Sequence, residues 1–150
     1  MQLTGNHVLA ATPSRVWAML MDPDVLAKVV PGISALNQIS PNAFQSTISL
    51  KIGPVGGSFT GNLQLEDLQP EESFTLKAQQ NSKIGNANAV VKIQLEPSAN
   101  QQTEIHFDGD VKLTGVLATM GQRVVGGVAN TLTQQFFKNL EKEIAAAQAT

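Results

Sequence analysis

The hydrophobic positions change period twice along the chain, and those changes mark the elements. Leu3, Gly5, His7 and Leu9 alternate with Thr4, Asn6, Val8 and Ala10, which predicts a first strand. Thr12-Pro13 and Asp22-Pro23 each place an N-cap residue before a proline at the first helical position. The first pair opens a short helix buried through Val16, Trp17 and Leu20. The second opens another, buried through Val25, Leu26, Val29 and Val30 and ended by Pro31-Gly32. From Ser34 the period is two. Strands are predicted at Ser34–Ile39, through Phe44, Ser46, Ile48, Leu50 and Ile52, and through Phe59, Gly61, Leu63 and Leu65. They continue through Phe74, Leu76 and Ala78, through Ala87 to Leu95, and through Ile105 to Leu113. Turn residues separate them at Ser40-Pro41-Asn42, Gly53-Pro54, Gln69 to Glu72 and Gly85-Asn86, and a polar loop is predicted at Pro97–Gln102. From Gly115 to Ala147 the period returns to about four. Leu117, Met120, Val124, Val128, Leu132, Phe136, Leu140 and Ile144 form one winding stripe of a long helix. The stretch FFKNLEKEIAAA is strongly helical, whereas Gly121, Gly126 and Gly127 weaken the first half. The terminal AAAQAT is expected to fray.

Connections this short force an antiparallel meander. The expected fold is α+β: a seven-stranded antiparallel sheet with one dry face, curled around the long helix, with two short helices after strand 1. The whole chain, 1–150, forms a single domain. Small residues at Ala78, Ala87, Ala89 and Gly109 on the sheet, and at the three helix glycines, predict empty space between the layers.

Composition narrows the function. A net charge of −2 leaves no basic face of the extent nucleic acid requires. The absence of cysteine excludes disulfides and thiolate metal sites. MQLTGNHVLA lacks the apolar run of a signal peptide and no stretch is long enough to be a transmembrane helix, so a cytoplasmic protein is expected.

Candidate chemistry is sparse. His7 shares a strand face with Leu3 and Leu9, and no carboxylate is placed along the sequence to pair with it. It reads as a hydrogen-bonded residue at the core's edge. Glu104, His106, Asp108 and Asp110 lie two apart on an exposed face and spread over ~20 Å, which suits a solvated surface better than one ion. Gly53 to Gly57 lacks the lysine and hydroxyl of a phosphate-binding loop and reads as a turn. Gln80, Asn86 and Asn88 sit near one end of the sheet, where amides could orient a ligand's polar head.

Three stretches carry a family resemblance: VWAMLMDPDVLAKVVPGISAL (Val16–Leu36), LKIGPVGGSFTGNLQL (Leu50–Leu65) and GQRVVGGVANTLTQQFFKNLE (Gly121–Glu141). The element order resembles the helix-grip fold of the START and Bet v 1-like (SRPBCC) superfamily. KIGPV followed by F-x-G, with the closing QFF, resembles the carbon monoxide dehydrogenase CoxG family. The resemblance implies a non-catalytic accessory protein of a CO-dehydrogenase-type molybdenum hydroxylase, with a hydrophobic cavity for a quinone or lipid-like ligand. It further implies a link to the quinone pool or to the inner face of the cell membrane, no tightly bound cofactor and no metal. Many family members continue into a linker and membrane-binding tail, whereas this sequence ends at Thr150. The cavity lining expected is Trp17, Phe44, Ile48, Leu50, Phe59, Leu63, Leu76, Val91, Phe107, Met120, Val124, Gly127 and Val128, with Gly121 to Gly127 as its gate. The alternatives are an assembly module without a ligand and, with no inward acid–base pair to support it, a small-molecule cyclase, dehydratase or hydrolase.

Overall fold

The computed structural model describes residues 1–148. Seven strands form one antiparallel sheet: β1 (Gln2–Leu9), β2 (Ile33–Ser40), β3 (Ala43–Ile52), β4 (Val55–Gln69), β5 (Ser73–Ser82), β6 (Gly85–Ser98) and β7 (Gln102–Leu113). Their order is β1-β7-β6-β5-β4-β3-β2, so β2 to β7 form a meander and β1 pairs beyond β7. Two short helices, α1 (Pro13–Leu20) and α2 (Pro23–Val29), cross from the β1 edge to the β2 edge. Both start as their sequence dictates. Thr12 Oγ1 accepts from the Arg15 amide at 3.4 Å, Asp22 Oδ1 accepts from the Asp24 amide at 2.9 Å, and each cap is followed by proline. Half of the predicted loop at Pro97–Gln102 is strand. Pairing of β6 with β7 continues to Ser98↔Gln102, and a short 3-10 turn, Ala99–Gln101, makes the connection.

The expected single long helix is two. A short α3 (Gly115–Thr119) ends at Met120, and α4 (Gln122–Gln148) begins after Gly121. Gly121 has φ +85°, a left-handed conformation natural to glycine, and its carbonyl accepts the Val125 amide at 3.2 Å. The expected stripe slips only next to the break. Val124, expected inward, is 38% exposed, while Val125, Val128, Phe137, Leu140 and Ile144 are buried. α4 stays helical through Ala145–Gln148, where fraying was expected; Ala149 and Thr150 lie outside the described residues. Among the described residues, no helix is long and apolar enough to cross a membrane.

Two apolar cores hold the layers together. The larger joins Leu9, Val16, Leu20, Val29, Phe44, Leu65, Phe74, Leu95 and Ile105 to Phe137, Leu140 and Ile144 on the second half of α4. Asn139 Nδ2 adds a hydrogen bond to the Val29 carbonyl at 3.2 Å. The smaller core gathers Val55, Phe59, Leu117 and Val128, with Ile48, Leu50, Ile52, Ile84, Leu113, Met120 and Leu132 against them. A polar pair lies on the dry face: Gln80 Nε2 donates to Ser46 Oγ at 3.1 Å, and both residues are buried. They meet because Gly61, the residue opposite each of them on the intervening strand, has no side chain. Gln80 is thus an interior amide, unlike the surface amide its neighbours suggest.

Candidate functional site

A groove of about 600 Å³ lies between the first half of α4 and the β1–β7 edge of the sheet. Met1, Gln2, Leu3 and Thr4 line one wall, Phe107 and Asp110 of β7 the floor, and Gln122, Gly126, Ala129, Asn130 and Thr133 the α4 wall. The α4 residues recur at steps of three and four, so they share one helical face. That face is small and polar, whereas Val125, Val128 and Leu132 lie on the adjacent face, where Val128 and Leu132 bind the helix to the smaller core. A Cβ placed on Gly126 or Gly127 would meet nothing within 4 Å. These glycines therefore do not serve close approach of helix and sheet; at Gly126 a missing side chain widens the groove.

Gly5 supports the floor. It lies opposite Phe107 in the ladder, and a Cβ there would come within 2.5 Å of the Phe107 ring. Phe107 can therefore lean over β1 towards Phe137, with ring centroids 5.9 Å apart. Phe137 in turn stacks on His7, centroids 4.6 Å apart and planes 10° from parallel. At the mouth, the Met1 ammonium bridges Asp110 Oδ1 at 3.3 Å and the Val111 carbonyl at 2.9 Å. Thr133 Oγ1 donates to the Ala129 carbonyl at 2.8 Å.

The residues expected to line the cavity are distributed differently. Phe107 alone borders this groove. Phe44 is buried in the larger core, with Trp17, Leu63 and Leu76 packed against it, and Trp17 meets Phe74 edge-to-face at 5.7 Å. Phe59 and Val128 are buried in the smaller core, which Ile48, Leu50 and Met120 flank. Val91 is buried in the sheet, and Val124 and Gly127 lie on the exposed side of α4. Sequence reasoning missed Met1, Gln2, Leu3, Thr4, Asp110, Ala129, Asn130 and Thr133, whereas Gln122 and Gly126 fall within the segment it expected to gate the cavity. The signal that could find the helix wall is the run of small and polar residues at helical spacing along α4, beside the hydrophobic stripe.

Two polar clusters also differ from expectation. His7 has a carboxylate partner after all: its Nε2 pairs with Glu141 Oε1, brought over by α4 from 134 residues away. Both groups are partly open to water, His7 34% and Glu141 48% exposed, and the pair sits on the rim of the larger core, outside the groove lining. On the outer sheet face, Glu104 and His106 do converge, joined by Glu96 across the β6–β7 ladder. His106 Nε2 lies 3.0 Å from Glu96 Oε2 and 3.1 Å from Glu104 Oε1. Among the described residues this is the one trio spaced as ion ligands could be, and its mutual contacts account for the arrangement. Asp108 and Asp110 stay apart from it. Elsewhere on the same sheet, the Lys77 ammonium is held above the ordinary lysine range by its hydrogen bond and attraction to Glu66, 2.8 Å away.

A curled antiparallel sheet holding a carboxy-terminal helix over an open groove defines a START-like, helix-grip protein. The match to a START superfamily protein from Mycobacterium smegmatis agrees: TM-score 0.79 at 14% identity, covering 99% of each chain. A protein from Chromobacterium violaceum shares the fold at TM-score 0.73 and 17% identity, covering 94% of each chain. A conserved protein from Geobacillus kaustophilus superposes at TM-score 0.95 with 30% identity, over 98% of this chain and 97% of that one. The chain belongs to the carbon monoxide dehydrogenase CoxG family, whose model matches residues 5–145. Comparison with curated proteins gave no match.

Proposed function

We propose that this chain is a non-catalytic binding module that takes a quinone or similar amphipathic, lipid-like ligand for a CO-dehydrogenase-type molybdenum hydroxylase. The observation that carries the reading is the groove beside Gly126, of about 600 Å³, within the range of small-molecule sites. Its apolar surfaces, Leu3, Phe107 and Ala129, suit a ring or an isoprenoid chain, each buried methylene contributing about 0.8 kcal/mol. The amides of Gln122 and Asn130 can donate to ring carbonyl oxygens. Family membership supports the choice of enzyme partner, and the ligand would connect that enzyme with the membrane's quinone pool. An accessory role accords with a groove that holds one carboxylate, Asp110, already paired with the Met1 ammonium, and no histidine.

Native mass spectrometry and calorimetric titration with a short-chain quinone test the reading. Gly126→Phe should project its ring into the groove without a backbone clash, and weaken quinone binding at least tenfold while the protein stays folded. No bound or bindable quinone or lipid in the wild-type protein would overturn it. If Gly126→Phe leaves support of the hydroxylase intact while surface substitutions abolish it, the domain is an assembly module.

A further inference from the structure

We propose that Glu96, Glu104 and His106, on the outer face of the sheet, form a binding site for a transition-metal dication of the Zn²⁺ type. The ladder assembles it. Glu96 of β6 lies directly opposite Glu104 of β7, and His106 follows Glu104 by two residues, so all three share one face. His106 Nε2 lies 3.0 Å from Glu96 Oε2 and 3.1 Å from Glu104 Oε1, and the three atoms all fall within 4.8 Å of one another. Zn²⁺ holds imidazole nitrogen and carboxylate oxygen at about 2.0–2.2 Å, which sets the ligand atoms of a tetrahedral site about 3.4 Å apart. Both nitrogen–oxygen spacings are a few tenths of an ångström short of that value, within the rotamer freedom of two glutamates. Asp108 and Asp110 lie apart, so the site is the opposed pair and the ring, not the acidic row along β7.

Mutual contacts hold the trio as it stands but leave its charge unbalanced. Two carboxylates directly opposite each other in a ladder repel. A single Nε2–H faces both, and it aligns well with only one acceptor at a time. The ladder partners on either side, Asn6 and Gln94 beside His106 and Val8 beside Glu104, bring no lysine or arginine. A divalent cation in place of that proton meets the ring nitrogen and both carboxylates together, and its charge matches the two anions. The imidazole also selects the ion. Mg²⁺ and Ca²⁺ take oxygen ligands, whereas nitrogen beside carboxylates suits Zn²⁺ and its neighbours. All three residues are open to water, Glu96 most of all at 66% exposure, so the ion has an entry path and water to complete its coordination. Bound there, it ties β6 to β7 beside their connection, on the sheet face opposite Phe107 and the groove. The site stands independently of any groove ligand.

The test is titration of untagged protein with zinc chloride, read by the imidazole proton signals in NMR and by calorimetry. The chain has two histidines, so one substitution assigns both sets of signals. The His7–Glu141 pair, one nitrogen and one carboxylate, is the internal control. Zn²⁺ should shift or broaden the His106 signals well before those of His7, and raise Tm as a ligand of the folded state. His106→Gln and Glu96→Gln should each weaken Zn²⁺ binding roughly tenfold or more, whereas His7→Gln should leave it unchanged. An excess of Mg²⁺ should not displace the bound ion. Equal response of the two histidines, unchanged affinity in either site variant, displacement by Mg²⁺, or no binding at millimolar Zn²⁺ would each overturn the proposal.

Discussion

The three glycines around the start of α4 look equivalent in sequence, but the structure predicts opposite outcomes when each becomes alanine. Gly126 and Gly127 lie inside a regular helix, and an added Cβ would meet nothing within 4 Å at either. Alanine there should stabilise by about 1 kcal/mol each through helix propensity and loss of unfolded-state freedom. For a domain of this size that corresponds to a rise in Tm of roughly 2–4 °C per substitution. Gly121 also has an open Cβ position, but its φ of +85° would strain alanine by about 1–2 kcal/mol. Gly121→Ala should therefore lower Tm by roughly 2–8 °C. Calorimetry on the three single variants gives the signs directly. Amide exchange and ligand kinetics add the functional half. If the first half of α4 gates the groove, Gly126→Ala should slow both exchange across Gln122–Ala129 and release of bound quinone. A fall in Tm on Gly126→Ala, or a rise on Gly121→Ala, would refute the structural reasoning. Uniform protection along α4 in the native protein, with ligand release unaffected by the alanine, would refute the gate.

Gly61→Ala should cost about 3 kcal/mol in urea unfolding, because its Cβ would overlap the Gln79 carbonyl and part Ser46 from Gln80. Leu140→Ala, at a fully buried position of the larger core, should cost about 2–5 kcal/mol by the same measurement. Thr103→Val should cost about 1–3 kcal/mol, since Thr103 Oγ1, fully buried, donates to the Ala11 carbonyl at 2.7 Å and that acceptor would be orphaned. His7→Gln should change stability by about 1 kcal/mol or less, as expected for a half-exposed pair, and leave quinone affinity nearly unchanged. A hundredfold loss of affinity, about 2.7 kcal/mol, would instead place His7 in the site.

Strand positions and helix starts are legible in the sequence because each is written locally. Period-two alternation, Pro-Asn and Gly-Pro turns, and the Thr12-Pro13 and Asp22-Pro23 caps act within a few residues of where they lie. The meander follows from the shortness of the turns. The helix break is harder to read, since a glycine in a helical pattern looks like a weak helical residue until its φ is known. Extending one stripe through Gly121 puts Val124 where Val125 belongs, although Val128, Leu140 and Ile144 of the same stripe are buried as expected. The groove is legible only in part: the helix glycines point to open space and Gly126 borders it, but the rest of its lining does not show. Large apolar residues look like the lining of a cavity, but they fill the cores, and the space remains where α4 presents Gly126, Ala129 and Asn130. The His7–Glu141 pair and the Glu96–Glu104–His106 trio need partners brought together by tertiary structure, a helix returning over β1 in one case and a ladder register in the other.

The place of β1 has a kinetic consequence. Every pairing from β2 to β7 joins neighbours in the chain, so five hairpins can form by short-range closure. β1 alone must find a partner far along the chain, Leu9 opposite Thr103 and Gln2 opposite Asp110, and that closure carries the entropy of a loop of roughly a hundred residues. It should therefore be the last strand to join during refolding and the first to detach under mild denaturant. Because Leu3 and Thr4 form one wall of the groove, a molecule that has lost β1 has also lost the groove. A ligand held there binds only the completed sheet, and by mass action it should retard detachment of this strand more than that of any other.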